Sequence, residues 1–257
     1  MTGPREHIVR VFRNADELSR AAAEGITRRA DRTVRERGRF TIALSGGSTP
    51  KILYSLLASS DSPYRERMPW GDTHFFFGDE RHVPPDHPES NYRMAHEAML
   101  VKVPVPTENV HRVKTEKPDA SEAASDYEHV LREFVDHDEG AAPRFDLVLL
   151  GMGTDGHTAS LFPGTAALTE KSRFFVANRV AKLDAHRLTM TLPVINNAAV
   201  VMFLVAGSDK ADVLQRVLEK RRHGQNELFP AQLVRPLNGE VSWLIDGAAA
   251  THLHLEG

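Results

Sequence analysis

FDLVLLGMGTDGHTASLFPG, from Phe145 to Gly164, joins an apolar run to a glycine-rich segment that carries an aspartate and a histidine. An uninterrupted apolar run of this length is typical of a strand buried on both faces, as in a parallel sheet. Ligands of open α/β sheets bind outside the carboxyl ends of such strands. The stretch therefore predicts an α/β fold and indicates where its site lies.

Similar apolar runs alternate with helical patterns along the chain. The predicted buried strands are Phe40–Leu44, His74–Gly78, Phe145–Leu150, Phe174–Val180 and Val200–Ala206. The predicted helices are Ala15–Arg37, Pro50–Ser59, Ser90–Leu100, Ala120–Asp138 and Lys210–Lys220. Two further segments are interpreted as additional or edge strands, His186–Ile195 and Val241–Asp246. This alternation predicts a layered α/β domain with a mostly parallel sheet.

Length and composition predict one domain over residues 1–257. The formal net charge of −3 provides no overall positive field for nucleic acid or an anionic membrane, so we expect a small-molecule partner. The chain has no cysteine, which excludes thiolate chemistry and fits a reducing compartment. The charged N-terminus differs from a signal peptide, and the longest apolar run, Ala198–Gly207, is far shorter than the roughly 20 residues of a spanning helix. We expect a cytoplasmic protein.

A phosphate-binding loop is predicted at SGGSTPK, residues 45–51, directly after the first strand. Its glycines permit close backbone approach, and a helix opened by Pro50 provides N–H groups and the positive end of a dipole. The candidate phosphate-binding residues are Ser45, Gly46, Gly47, Ser48 and Thr49. On this segment alone, an ordinary turn with a Ser/Thr cap has equal weight. The Gly-Lys-Ser/Thr of a Walker A loop is missing.

Charged residues follow the second strand without a break in GDERHVPPDHPESNYRMA, residues 78–95. If the backbone stays extended, Asp79 and Arg81 point to the same side and form a carboxylate–guanidinium pair at the mouth of the sheet. The structural alternative is an exposed charged turn in which Asn91 merely starts a helix. For this segment taken alone, that alternative is the favoured one.

The glycines of GMGTDG, residues 151–156, match the dinucleotide pattern G-x-G-x-x-G. However, the following stretch stops at Pro163-Gly164, too soon for the usual helix, and the next strand has no acidic residue at its end to bind a ribose. Asp155 and His157 instead form a closely spaced pair in which a carboxylate can orient an imidazole. A histidine with an unperturbed pKa of about 6.5 is largely neutral at cytosolic pH and can accept a proton from water.

Two further cations are candidates for anion binding. Arg187 lies at the start of a strand, and Lys210 follows the strongest apolar run. Each alone is an ordinary surface residue, but together with Arg81 and the phosphate loop they would form a multivalent anion site. No histidine spacing, including that of His252 and His254, predicts a metal site.

Taken together, these motifs resemble those of the 6-phosphogluconolactonase family. LSGGSTP, GDERHVP with SNYRMA, LLGMGTDGHTASLFPG, HRLTMTLPVINNA and LVAGSDK occur in the order typical of that family, from about Val9 to Asp246. The resemblance implies a three-layer α/β/α sandwich like that of glucosamine-6-phosphate deaminases and ribose-5-phosphate isomerase A. It also implies hydrolysis of 6-phospho-D-glucono-1,5-lactone to 6-phosphogluconate in the oxidative pentose phosphate pathway.

The resemblance implies a role for each candidate residue. His157 becomes the base that activates water, with Asp155 close by and Asp79 as a third catalytic candidate. The residues implied to hold the phosphate are the Ser45–Thr49 loop, Arg81, Arg187 and Lys210. A lactone carbonyl is an activated ester, so we expect neither a metal nor an organic cofactor. A monomer and a homodimer are both compatible with the sequence.

Two alternatives to lactone hydrolysis stay open. In glucosamine-6-phosphate deaminases the motif continues DGHIAFNEP, with a glutamate before the proline, whereas DGHTASLFP here has Phe162 at that place. The deaminases also have a tyrosine where this chain has Arg81. A non-catalytic sugar-phosphate sensor would retain the phosphate loop but would have no use for a base at His157.

Overall fold

The computed structural model describes residues 7–135, 141–219, 229–236 and 238–254. The strands among these residues are β1 Ile8–Phe12, β2 Phe40–Leu44, β3 Thr73–Phe77, β4 Asp79–Arg81, β5 Leu147–Leu150, β6 Phe175–Val180, β7 Ala185–Met190, β8 Val200–Val205 and β9 Glu240–Asp246. The helices are α1 Ala15–Arg37, α2 Ser48–Ala58, α3 Pro63–Arg67, α4 Asn91–Ala98, α5 Ala120–Phe134, α6 Leu192–Ile195 and α7 Ala211–Leu218. Short 3-10 segments connect several of them.

The main sheet has six strands in the order β1-β9-β8-β5-β2-β3, and all of its neighbouring strands pair in parallel. Every residue of β2, β5 and β8 is buried, as their apolar runs predict. Because these three strands are neighbours and parallel, the segments that follow them emerge side by side. This arrangement brings the phosphate-loop candidate, the glycine-rich turn and the segment with Lys210 to one edge of the sheet.

A second, antiparallel sheet in the order β4-β7-β6 adjoins the first. The chain passes between the two sheets at Gly78, whose N–H donates to the Leu44 carbonyl (2.9 Å) and whose carbonyl accepts from Met190 N (2.8 Å). In the pairing of β4 with β7, Arg81 lies opposite Arg187. The small sheet thus places two cations next to the carboxyl end of β3.

Helices lie on both sides of the main sheet, so the fold is a three-layer α/β/α sandwich. The longest of the described helices, α1, shows why they form where they do. Its N-cap is Asn14, whose side chain accepts from Glu17 N (2.9 Å), and its C-cap is Gly38, which has a left-handed φ of 79°. Its apolar face, including Leu18 and Ile26, is completely buried. No helix of the described residues is both long and apolar enough to cross a membrane.

The predicted strands and helices are present with ends that shift by a few residues, with one exception. The predicted strand His186–Ile195 ends at Met190, and its last four residues, Leu192–Ile195, form the helix α6 instead. Pro193 lies in the first turn of this helix, where its missing N–H is tolerated, whereas in a strand it would remove a ladder hydrogen bond.

The predicted strand Phe174–Val180 does not belong to the parallel sheet, because it forms β6 of the antiparallel sheet. The segment Val241–Asp246 forms β9 in the interior of the main sheet, so it is not an edge strand. The edge strand β1, with the sequence IVRVF, was not predicted, and none of its residues is fully buried. The last residues of the predicted helices Ala120–Asp138 and Lys210–Lys220, which are 136–138 and 220, lie outside the described residues.

Candidate active site

The carboxyl ends of the central strands open into a cavity with two adjoining lobes, each with a volume of about 290 Å³. The α2 lobe is lined chiefly by residues 45–50, Asn91, residues 151–153 and Lys210. The β7 lobe is lined chiefly by Asp155, Ser160, Phe162, Lys182, Leu183 and Arg187. The residues that line both lobes are Asp79, Arg81, His157 and Ala159. The candidate base therefore lies where the two lobes meet.

The loop after β2 presents the N-terminus of α2 to the α2 lobe. The helix begins at Ser48, two residues before the predicted start at Pro50, and Gly47 with its φ of 106° is the capping residue. No side chain caps this end, so the Ser/Thr-capped turn considered above does not form. The buried hydroxyl of Ser45 also lacks a hydrogen-bond partner among the described residues. Unpaired donors at a helix N-terminus favour an anion there.

Asn91 connects this loop to β4, a role that its position at a helix start did not predict. A Cβ atom on Gly46 would lie 1.9 Å from Asn91 Oδ1, so only glycine fits against this amide without a shift. Asn91 Nδ2 donates to the Asp79 backbone carbonyl (3.0 Å) and to Asp79 Oδ1 (3.3 Å). Asn91 thereby fixes the loop and the candidate carboxylate relative to each other.

Asp79 and Arg81 lie on the same side of the extended strand β4, as predicted, but the ion pair predicted between them does not form. Asp79 is buried, and its Oδ2 accepts from Ser160 Oγ (2.6 Å). The Arg81 guanidinium donates from Nη1 to the Glu89 carbonyl (2.5 Å). The Asp79 carboxylate and the Arg81 guanidinium thus each bind a residue of another segment, and both side chains line the cavity.

Glu80 faces away from the cavity and caps α4. Its carboxylate accepts from the backbone N–H groups of Arg81 (2.8 Å), Asn91 (2.7 Å) and Tyr92 (2.7 Å), and from Ser90 Oγ (3.2 Å). Burial raises the pKa of Glu80, although these N–H groups act in the opposite direction. Glu80 therefore holds β4 against α4 and takes no direct part in the site.

Asp155 and His157 form the predicted pair in the turn after β5. Asp155 Oδ1 lies 2.5 Å from His157 Nδ1 and accepts from the His157 backbone N–H (3.2 Å). Phe162 stacks on the imidazole, with ring centroids 4.1 Å apart. In the described part of the chain Nε2 makes no hydrogen bond. With the proton on Nδ1, Nε2 is the nitrogen available to accept a proton in the cavity.

The glycines of the G-x-G-x-x-G pattern make room for this histidine and its turn. A Cβ atom on Gly153 would lie 2.1 Å from two atoms of the His157 ring. Gly156 has a φ of +71°, and a Cβ atom there would lie 2.4 Å from the Phe229 ring. Packing and backbone conformation thus explain two of the three glycines without a pyrophosphate.

The environment of His157 keeps its imidazole neutral. Burial lowers its pKa to about 4, and three nearby cations act in the same direction while Asp79 opposes them. These cations are Lys210, Arg187 and Arg81. A neutral imidazole at ordinary pH is the form that a general base requires.

The predicted anion-binding cations all line the cavity around the junction of the lobes. Lys210 lines the α2 lobe together with the loop, Arg187 lines the β7 lobe, and Arg81 lines both. Lys210 Nζ lies 2.9 Å from Asp209. The Arg187 guanidinium has neither an ion pair nor a hydrogen bond in the described part of the chain, and burial followed by the charge of Arg81 lowers its pKa. A half-buried guanidinium without a partner is suited to bind an anionic ligand.

Lys182 is a further residue of the site that the sequence did not predict. Its ammonium group pairs with Asp155 Oδ2 and lies 4.7 Å from the centroid of the Phe162 ring. The residue belongs to the 3-10 segment Ala181–Leu183 between β6 and β7. Because its partner lies 27 residues away along the chain, no local pattern could have revealed it.

The described residues contain no group of three or more His, Cys, Asp or Glu side chains that could hold a metal ion. His252 is paired with Asp212 and His254 with Glu219, each at the surface.

Comparison with known proteins places these features in a family context. The family model described as glucosamine-6-phosphate isomerases/6-phosphogluconolactonase matches residues 13–243. A 6-phosphogluconolactonase from a Synechocystis species is 43% identical over 245 residues, which cover 95% of this chain and 98% of that protein. The structure of 6-phosphogluconolactonase from Trypanosoma cruzi matches with a TM-score of 0.84 and 33% identity, over 97% of this chain and 98% of that one. A monomeric glucosamine-6-phosphate deaminase shares the fold, with a TM-score of 0.77 at 23% identity over 96% of this chain and all 100% of its own.

Proposed function

Since this chain belongs to the glucosamine-6-phosphate isomerase/6-phosphogluconolactonase family, we propose that it hydrolyses 6-phospho-D-glucono-1,5-lactone to 6-phosphogluconate with His157 as the base. This reaction is a step of the oxidative pentose phosphate pathway. The observation that carries the proposed mechanism is the Asp155–His157 pair at the junction of the two lobes, with Nε2 unengaged among the described residues. A positioned water and a base are sufficient for an activated ester, so the proposal includes no cofactor.

The proposed reaction proceeds by attack of water on the lactone carbonyl. His157 Nε2 takes a proton from the water as its oxygen bonds to C1, and Asp155 stabilises the imidazolium that forms. The tetrahedral intermediate then collapses with cleavage of the bond between C1 and the ring oxygen. The imidazolium returns its proton to that oxygen, which leaves the open-chain acid and restores the neutral base.

We propose that the phosphate binds in the α2 lobe. The α2 N-terminus with the Ser45–Thr49 loop provides N–H and hydroxyl donors, and Lys210 lines the same lobe. Arg81, which lines both lobes, and Arg187, which lies opposite it on β7, are proposed to contact the same phosphate from the side of the β7 lobe. Asp79, fixed by two hydrogen-bonded neighbours and lining both lobes, is proposed to accept a hydrogen bond from a lactone hydroxyl.

Phe162 argues against deaminase chemistry at this site. It stacks on the His157 ring, at the motif position where the deaminases have a glutamate. A phenyl ring cannot transfer the proton that ring opening and isomerisation require. The decisive experiment is an assay on freshly generated 6-phosphogluconolactone, with glucosamine 6-phosphate in parallel and the spontaneous rate subtracted. We expect activity on the lactone alone, and activity only on glucosamine 6-phosphate would overturn the proposal.

Replacement of Arg187 or Lys210 by alanine should mainly raise KM for the phosphorylated lactone. Because the lost contact involves the phosphate, KM should increase about tenfold or more while kcat changes less. The measurement is kcat and KM for 6-phosphogluconolactone and for unphosphorylated gluconolactone. An equal effect on both substrates would refute the phosphate role.

The pH profile of kcat/KM should extend unusually far into the acid range. Since the pKa of His157 is lowered to about 4, the active neutral form persists as pH falls from 8 to 5, and kcat/KM should change by about twofold or less. Below pH 4 it should decline about tenfold per pH unit as the imidazole gains a proton. Initial rates on unphosphorylated gluconolactone, corrected for spontaneous hydrolysis, test this, because the phosphate of the phosphorylated substrate itself titrates with a pKa of about 6. An acid limb centred near 6.5 would contradict the effect of burial and of the surrounding cations.

Three wider expectations belong to the same proposal. These are a single domain over residues 1–257, a cytoplasmic location, and a monomer or homodimer that binds neither nucleic acid nor membranes. Analytical ultracentrifugation of the whole chain tests the oligomeric state.

A further inference from the structure

We propose that Lys182 is a positioning residue that holds Asp155, and through it His157, in the arrangement that directs Nε2 at the lactone. The inference rests on the proposed hydrolysis and adds a residue from outside the glycine-rich turn. It assigns a function to the ion pair between the β6–β7 connection and the turn after β5.

The two oxygens of Asp155 are divided between two partners. Oδ1 faces His157 Nδ1 and accepts from the His157 backbone N–H, whereas Oδ2 contacts the Lys182 ammonium. Rotation of the carboxylate would therefore break contacts on both sides. The Asp155 side chain is 30% exposed, so water would compete for Oδ2 in the absence of the lysine.

Phe162 provides a second connection between the lysine and the base. The Phe162 ring stacks on the imidazole of His157 at a centroid distance of 4.1 Å, and the Lys182 ammonium lies 4.7 Å from the centroid of the Phe162 ring. A cation at this distance from an aromatic ring is attracted by its quadrupole. The ammonium thus contacts both groups that restrain the imidazole.

The backbone around Lys182 supports a fixed position. The 3-10 segment Ala181–Leu183 ends at Asp184, which adopts a left-handed φ of 47° and forms an ion pair with Arg179. This tight connection joins β6 to β7, the strand that carries Arg187. The lysine therefore couples the antiparallel sheet to the turn after β5.

Direct phosphate binding by Lys182 is the competing role, because the residue lines the β7 lobe. Its ammonium is already paired with a carboxylate, whereas the guanidinium of Arg187 in the same lobe has no partner among the described residues. Phosphate binding by the lysine would require this pair to break and leave Asp155 without its counter-charge. The geometry favours positioning.

We expect the charge of Lys182 to affect the base as well. The charged groups that face His157 and Asp155 are Asp79, Arg81, Arg187, Lys210 and Lys182. Without Lys182, the carboxylate of Asp155 would stand un-neutralised beside the imidazole and would stabilise the imidazolium. Loss of the lysine should therefore move the acid limb of kcat/KM to higher pH.

The test compares Lys182→Met, Lys182→Arg, Asp155→Asn and the double variant Lys182→Met/Asp155→Asn, with Lys171→Met as an exposed lysine control. We expect Lys182→Met to lower kcat about tenfold to 100-fold, as a displaced catalytic group does, with a similar factor on phosphorylated and unphosphorylated lactone. Lys182→Arg should recover most of kcat. The double variant should be no slower than Asp155→Asn, because the lysine acts through the aspartate. Lys171→Met should match the wild type.

Three results would overturn the inference. The first is an unchanged kcat in Lys182→Met, and the second is a rise in KM confined to the phosphorylated lactone. The third is a loss of kcat in the double variant equal to the product of the losses in the two single variants. Lys182→Gln is the second neutral variant if Lys182→Met has a lowered melting temperature, and the same three outcomes apply to it. Lack of lactonase activity in the wild type would refute the proposed function itself, whereas an active wild type with an equally active Lys182→Met refutes only the role of Lys182.

Discussion

His157→Ala is expected to lower kcat for 6-phosphogluconolactone by about 10²- to 10⁴-fold, the range that general-base catalysis contributes. The substitution removes the only nitrogen proposed to take a proton from the attacking water. The loop residues and cations that line the cavity are unchanged, so 6-phosphogluconate should bind with nearly wild-type affinity. The measurements are kcat by a stopped assay with the spontaneous rate subtracted, and Kd for the product by calorimetry.

The matched control for this substitution is His129→Ala, which removes an exposed histidine on α5. It should leave both kcat and product binding unchanged. Turnover by His157→Ala close to that of the wild type would show that another group activates the water. A large loss of product affinity would instead show that the imidazole binds the sugar acid in the ground state.

Much of the site could be predicted because its residues follow strands whose patterns are clear. The apolar runs of β2, β5 and β8 predict buried parallel strands, and parallel strands present their carboxyl ends at one edge. The Ser45–Thr49 loop, Asp155 with His157, and Lys210 therefore had to lie near one another. Local sequence was sufficient to find them, since each directly follows its strand.

The contacts that fix these side chains could not be predicted in the same way. Ser160 and Asp79 are 81 residues apart, and Lys182 and Asp155 are 27 apart. Such pairs depend on how the antiparallel sheet meets the main sheet, which no local periodicity encodes. Lys182 also has no apolar run or glycine pattern beside it that would mark it as unusual.

The error concerning Asp79 and Arg81 has the same origin. Side-chain alternation along β4 correctly placed both on one face, but alternation says nothing about competing partners. The nearest partners of Asp79 are the hydroxyl of Ser160 and the amide of Asn91. A buried carboxylate is stabilised by such fixed neutral donors without the need to desolvate a guanidinium.

Gly153→Ala is expected to lower kcat by about 100-fold, which is the loss that a displacement of about 1 Å in a catalytic group can produce. The new methyl group would lie 2.1 Å from Cε1 and Nδ1 of His157 and 3.0 Å from Asp155 Oδ1. The ring must move away from the carboxylate that orients it. Gly153 has no positive φ, so its backbone accepts alanine, and the loss of stability should come only from displacement of the His157 side chain, which is 29% exposed and can move outward.

Two glycine variants separate this local effect from general damage. Gly71→Ala, where a Cβ atom meets nothing within 4 Å, should retain wild-type kcat and stability. Gly156→Ala combines a φ of +71° with a contact of 2.4 Å to Phe229, so it should lower stability by about 1 kcal/mol or more. Wild-type kcat in Gly153→Ala would mean that the imidazole can act from a second position, and the Asp155–His157 geometry would then no longer explain catalysis. A loss of kcat at nearly unchanged melting temperature would instead show that Gly153 is required because only a residue without a side chain leaves room for the His157 ring.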